Sequence, residues 1–226
     1  MRDHLKDAAY FDAYIAKQTK RMEMFEDRLA KGEVADVQIL TVRHAVHAIK
    51  TARLLASYSR GDDLEVLRNE FLALAQEWPD LLSEDFYSRG LEMLSLGVLF
   101  HVDMDMFKSV MERYKAAGTD DWLYDFLVSG GADPKRISTK LRFPKTYGTL
   151  KWAILRGGFN GDDIKEYLKY WYNRHGSCGW YNSHKSKQMT YYGYWSLEIG
   201  AVVKLLHVED SAFRNAKYYP YDLVHF

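Results

Sequence analysis

From Phe11 onward, apolar side chains recur in steps of three and four residues, through Tyr14, Met22, Phe25 and Leu29 with one polar interruption at Gln18. That period is the signature of an amphipathic α-helix. Gly32 supplies its stop. A second helix is predicted over about Val34 to Ser59, with Ile39, Val42, Val46 and Ile49 on one face and Gly61 at its end. The two should form a long antiparallel hairpin. Asp62 or Asp63 can cap a third helix, in which Leu64, Leu67, Phe71 and Leu74 share a face until Trp78-Pro79 breaks the pattern. Shorter helices are predicted over about Glu84 to Phe100, Met104 to Ala116 behind Asp103, Asp121 to Val128 behind Asp120, Thr146 to Arg156 and Asp162 to Asn173. Gly118, Gly130-Gly131, Gly157-Gly158 and Gly176 punctuate them.

Alternating apolar and polar runs bounded by Asn-Gly or Asp-Gly turns do not occur, so strands are not expected. The pattern predicts an all-α protein, a helical bundle of antiparallel helix pairs that could stack in a repeat-like manner. Two closely packed domains are expected, residues 1–117 and 118–226, because near Gly118 an acidic stretch gives way to a basic one rich in Tyr and Trp.

Composition narrows the setting. The chain has 226 residues and one cysteine, Cys178, so no intramolecular disulfide can form and a reducing compartment, the cytoplasm, is expected. The charged opening lacks the apolar core of a signal peptide, and runs such as Met93 to Val102 fall far short of the roughly 20 residues needed to cross a bilayer. A formal net charge of zero hides a block structure. Residues 1–59 carry 10 basic and 8 acidic side chains, residues 60–134 carry 6 and 16, and residues 135–226 carry 15 and 7. Such asymmetry bears on partners rather than on fold.

Several constellations could carry chemistry, each with an ordinary structural reading beside it. His175 stands three residues before Cys178, which invites a nucleophile, but no orienting third group is identifiable and a lone cysteine commonly serves as a small buried side chain. His101, Asp103 and Asp105 resemble a metal cluster if one helix includes them, although Asp103 is better read as a cap and Asp105 as first-turn charge. His44 and His47 share a helical face without the Glu of a zinc-protease motif. Arg156-Gly157-Gly158-Phe159-Asn160-Gly161 fits no nucleotide fingerprint and reads as a turn. The basic and aromatic stretch from Lys165 to Lys187 could stack on single-stranded nucleic acid, yet helical spacing already assigns Ile164, Leu168 and Trp171 to a core.

The most specific segment is the last. Tyr191 to Leu206 reads as a buried helix in which Trp195, Ile199, Val202, Val203 and Leu206 pack inward, with Gly200 and Ala201 allowing close approach. Glu198 then lies among apolar neighbours and needs a partner. Tyr192-Gly193-Tyr194-Trp195 with Glu198, the Asp210-Ser211 turn and the closing Tyr218-Tyr219-Pro220-Tyr221-Asp222-Leu223-Val224 closely resemble the C-terminal domain of the PoNi family, immunity proteins of PoNe-type DNase toxins in bacterial polymorphic-toxin systems. Trp171-Tyr172 and Asn182-Ser183-His184-Lys185 look like the same domain, and Arg2-Asp3 through Tyr10-Phe11-Asp12-Ala13-Tyr14-Ile15 looks like the family's N-terminal domain.

The resemblance implies a helical, non-enzymatic inhibitor with no cofactor and no metal, whose partner is a cognate nuclease toxin rather than nucleic acid or a membrane. Tyr192, Gly193, Tyr194, Trp195, Glu198, Tyr219, Pro220 and Asp222 would then hold the fold. A nuclease attracts phosphate with basic groups, so the acidic middle is the expected contact, through Asp62, Asp63, Asp103, Asp105, Glu112, Asp120, Asp121 and Asp125. Two other classes stay open: a helical scaffold for an unrelated peptide or protein, and a hydrolase using His101, Asp105 or Cys178.

Overall fold

The structure, a computed structural model, describes residues 1–81, 87–132 and 137–226. Among these residues there are ten α-helices and no strand. Helical periodicity therefore predicted the fold class correctly. The chain divides into two compact units, Met1–Leu82 with Asn182–Gly193, and Ser83–Tyr181 with Tyr194–Phe226.

In the first unit, α1 (Ala8–Ala30) begins behind Asp7, whose carboxylate accepts from the Tyr10 amide at 2.9 Å. Helix α2 (Asp36–Arg60) returns antiparallel to it. The pairs Glu26–Lys50 at 3.4 Å, Met22–Arg53 at 3.4 Å and Asp12–Arg60 at 2.6 Å fix that direction, since one partner's number falls as the other's rises. The turn out of α2 needs Gly61, which has φ 103° and sits where a Cβ would lie 2.9 Å from the Met1 nitrogen. Helix α3 (Leu64–Glu77) is capped by Asp63, whose Oδ1 accepts from Glu65 and Val66. Phe11, Tyr14, Leu54, Tyr58, Leu67 and Phe71 form the core, and burying each contributes about 1.5–3 kcal/mol. Gln18, the polar interruption, is buried with them.

The remote segment of this unit is tied down by hydrogen bonds. The Tyr191 hydroxyl donates to Asp3, the Tyr10 hydroxyl donates to the Tyr191 carbonyl at 3.1 Å, and the Ser59 hydroxyl reaches the Tyr192 carbonyl at 3.0 Å.

The second unit holds α4 (Tyr87–Leu99), α5 (Lys108–Ala116), α6 (Trp122–Val128), α7 (Pro144–Leu155), α8 (Gly161–Arg174), α9 (Leu197–Leu206) and α10 (Tyr221–Val224). Helix α4 packs on α6 and α9, α7 on α8, and α9 on α10. The expected start of α4 at Glu84 lies outside the described residues. At its other end His101 takes the left-handed conformation, and the Val102 amide donates to the Gly97 carbonyl at 2.9 Å. This Schellman closure ends the helix before Asp105.

Four boundaries differ from expectation. Helix α5 starts at Lys108, behind a 3-10 turn over Met104–Phe107, and not at Met104. Asp121, not Asp120, caps α6, accepting from the Leu123 and Tyr124 amides. Helix α7 starts at Pro144, whose fixed φ suits a first helical position. Trp195 precedes α9 and is half-buried, and Leu206 is also partly exposed, while Ile199, Val202 and Val203 are fully inside.

Candidate functional site

Glu198 finds its partners in the second unit. Its Oε1 accepts from the Tyr167 hydroxyl at 2.8 Å, the Trp171 indole N–H at 2.6 Å and the Ser196 hydroxyl at 3.0 Å. Its place in the first turn of α9 adds the favourable end of the helix dipole. Around it Trp171 stacks on Trp180 at 5.3 Å, and Tyr172 stacks on Tyr218 at 5.5 Å. Burial and the Glu198 charge push the Tyr167 hydroxyl well above its usual range, so it stays a donor. The closing motif is built similarly. Asp210 accepts from Tyr219 at 2.6 Å and lies 2.8 Å from His225 Nε2. Pro220 seats against Gly200, where a Cβ would meet its ring at 2.7 Å. Tyr192 is half-buried, Gly193 and Tyr194 are buried, and Asp222 is exposed.

The reactive candidates are engaged elsewhere or separated. His175 Nδ1 donates to the Trp171 carbonyl at 2.7 Å, which leaves Nε2 to accept from the Tyr147 hydroxyl at 3.2 Å. Burial, with the nearby Glu198 charge, raises the Cys178 thiol above its usual value, the opposite of nucleophile activation. His101 and Asp105 do not share a helix, and Asp105 pairs with Lys108 at 2.6 Å. Among the described residues, no group of three His, Cys, Asp or Glu side chains could hold a metal ion, and no helix is long and apolar enough to cross a membrane.

The eight expected contact acids divide between the units. In the second, Asp121 is fully buried, with its carboxylate accepting from Tyr87, Leu123, Tyr124 and the Arg142 amide. Burial raises its pKa despite these bonds. Asp125 is also buried, against Lys115 at 3.0 Å and the Ser138 amide. These two are therefore interior supports and not surface charges, a correction to the expected patch. Asp120 is held by Lys140 at 2.8 Å and Ser138, and Asp103 caps the turn through Met104–Phe107. Asp103, Asp105 and Glu112 are exposed, but Lys108, Arg113 and Lys115 are exposed among them.

The first unit carries the denser acidic surface. Asp62 is gripped by Arg60 through two bonds, at 2.8 and 2.6 Å, which hold its carboxyl below the usual range. From Asp63 a stripe at three- and four-residue spacing runs along α3 through Val66, Glu70, Ala73 and Glu77 to Asp80 in the following turn. All but the half-buried Glu77 are exposed, and Glu65 lies beside them. At its far end Glu77 and Asp80 join Glu26, Lys50, Val46 and Leu81 in lining a cleft of about 230 Å³. Of this stripe only Asp63 was among the expected contacts, although the seven-residue repeat 63–70–77 is visible in the sequence.

The chain shares its fold with a crystal structure, protein PA2201 from Pseudomonas aeruginosa, at a TM-score of 0.76 and 19% identity over 97% of this chain and 88% of that one. Among curated proteins none matches. Two family models match almost end to end, "PoNe immunity protein (PoNi), N-terminal" over residues 2–112 and "PoNe immunity proteins (PoNi), C-terminal" over residues 119–223. The chain belongs to the PoNi family, the PoNe immunity proteins.

Proposed function

We propose that this immunity protein binds and neutralises a cognate nuclease toxin in the cytoplasm of the producing cell and its kin. The acidic stripe of α3 makes the contact. The observation that carries this reading is the run of exposed carboxylates on one helical face around exposed Val66. A surface that must grip phosphate is basic, and an acidic face with an apolar centre is its electrostatic and packing complement. Asp103, Asp105 and Glu112 supply a secondary acidic contact from the other unit. The buried Tyr, Trp and Glu198 cluster holds the fold that presents these faces.

The test is to express candidate PoNe-type nucleases in cells, with and without this protein. Rescue of growth together with a stable complex is expected. Rescue without a complex, or a complex without rescue, contradicts the reading.

A further inference from the structure

The helix pair α7–α8 turns a basic and aromatic face to solvent. Lys145, Thr149 and Trp152 on α7 and Arg156 at its C-cap follow one another at helical spacing, and Trp152 is 66% exposed. Arg156 lies 5.2 Å over the Trp152 ring, and across the pair Arg174 lies 5.3 Å over the 37% exposed Tyr170. Arg174 also bonds Thr149 at 2.6 Å, which joins the two helices into one surface. One turn before Trp152 stands Gly148, in the interior of a helix, where a Cβ would meet nothing within 4 Å. Alanine would fit there and strengthen the helix, so the glycine leaves bare backbone for something to approach.

The same chain carries the converse surface. Along α3, from its cap to the turn that follows it, exposed Val66 and Ala73 alternate with Asp63, Glu70 and Asp80. One face thus offers apolar centres bracketed by carboxylates, and the other an indole bracketed by cations. We propose that the α3 face of one copy docks on the α7–α8 face of a second copy, with Val66 and Ala73 against Trp152 and Gly148 and the α3 carboxylates facing Lys145, Arg156 and Arg174. Asp163 holds Arg156 at 2.5 Å and Asp162 and Glu166 lie on the same helix pair, so the face is a mixed one with an apolar centre, which suits a partner that carries apolar and acidic groups together better than a uniform polyanion. Copies that exchange both contacts close as a two-fold dimer, and copies that use one contact each continue as a chain. A consequence that rests on the toxin-binding reading is that self-docking and toxin binding use the same α3 face and exclude each other.

The experiment uses the purified full-length protein alone, so it stands or falls independently of the toxin. Sedimentation equilibrium at low salt should show a mass that rises with protein concentration, and high salt should return it to the monomer. Trp152→Ser, Glu70→Lys and Lys145→Glu should each weaken association about tenfold or more, with unchanged circular dichroism. The double variant Glu70→Lys with Lys145→Glu should recover it. A monomer at every concentration in low salt overturns the proposal. So does association indifferent to Trp152→Ser, or a monomer that binds a single-stranded oligonucleotide through Trp152.

Discussion

Tyr191 donates its hydroxyl to the buried carboxylate of Asp3, 188 residues earlier in the chain. The other oxygen of Asp3 accepts from the Leu5 and Lys6 amides at 2.7 and 2.9 Å. Removing the hydroxyl therefore leaves one oxygen of a buried carboxylate without its donor. Tyr191→Phe should cost about 1.5–3 kcal/mol, the usual worth of a hydrogen bond to a charged group. The check is a guanidinium midpoint that falls while the slope of the transition is unchanged; an unmoved midpoint removes Asp3 from the forces holding this segment.

Glu198 gathers three donors on one oxygen, so its substitutions should rank by what they leave as acceptor. Glu198→Gln keeps a carbonyl oxygen and should lose about 1–3 kcal/mol as charge-assisted bonds become neutral ones. Glu198→Ala strands a phenol, an indole N–H and a hydroxyl and should lose about 3–5 kcal/mol. Urea unfolding of both variants decides it. Equal losses would mean that side-chain volume matters and the acceptor does not.

The Arg60–Asp62 pair predicts a pH dependence with a definite sign. Arg60 lowers the Asp62 carboxyl below its usual value of 3.8. A depressed folded-state value makes the stabilisation complete above the unfolded value and lost as the pH falls through the folded one. Arg60→Met should therefore be less stable than the wild type above about pH 4, and the difference should shrink as the pH falls below that. Denaturant midpoints across that range test it, and a gap of constant size would show that the pair contributes nothing.

Gly148→Ala separates helix stability from surface function. With open space at the Cβ position, the substitution should stabilise the fold by about 0.5–1 kcal/mol. Its melting temperature should rise, and a fall would show that the backbone there is already in contact.

Much of the fold was legible because its information is local. The three- and four-residue steps, Asp63 as a cap and Gly61 as a stop needed only neighbours in sequence to be read. What was not legible depends on distant partners. Asp121 is an acid beside Asp120 in the sequence, and only the approach of Tyr87 and the Arg142 amide makes it an interior group. Trp195 looked like a core residue from its neighbours, but α9 starts two residues later and leaves it half outside. The acidic stripe is the intermediate case. Counting charge by segment located the acidic stretch, but only the helical phase of Asp63, Glu70 and Asp80 brings them to one face.

That stripe is also where the account is most exposed. The direct measurement is the affinity of a PoNe-type nuclease that the protein neutralises for wild-type protein and for Asp63→Lys with Glu70→Lys and Asp80→Lys, at low and high salt. The expected result is a loss of about a hundredfold or more at low salt, a flatter dependence on salt, and an unchanged melting temperature. A triple variant that binds as tightly as the wild type, with the same salt dependence, would contradict it.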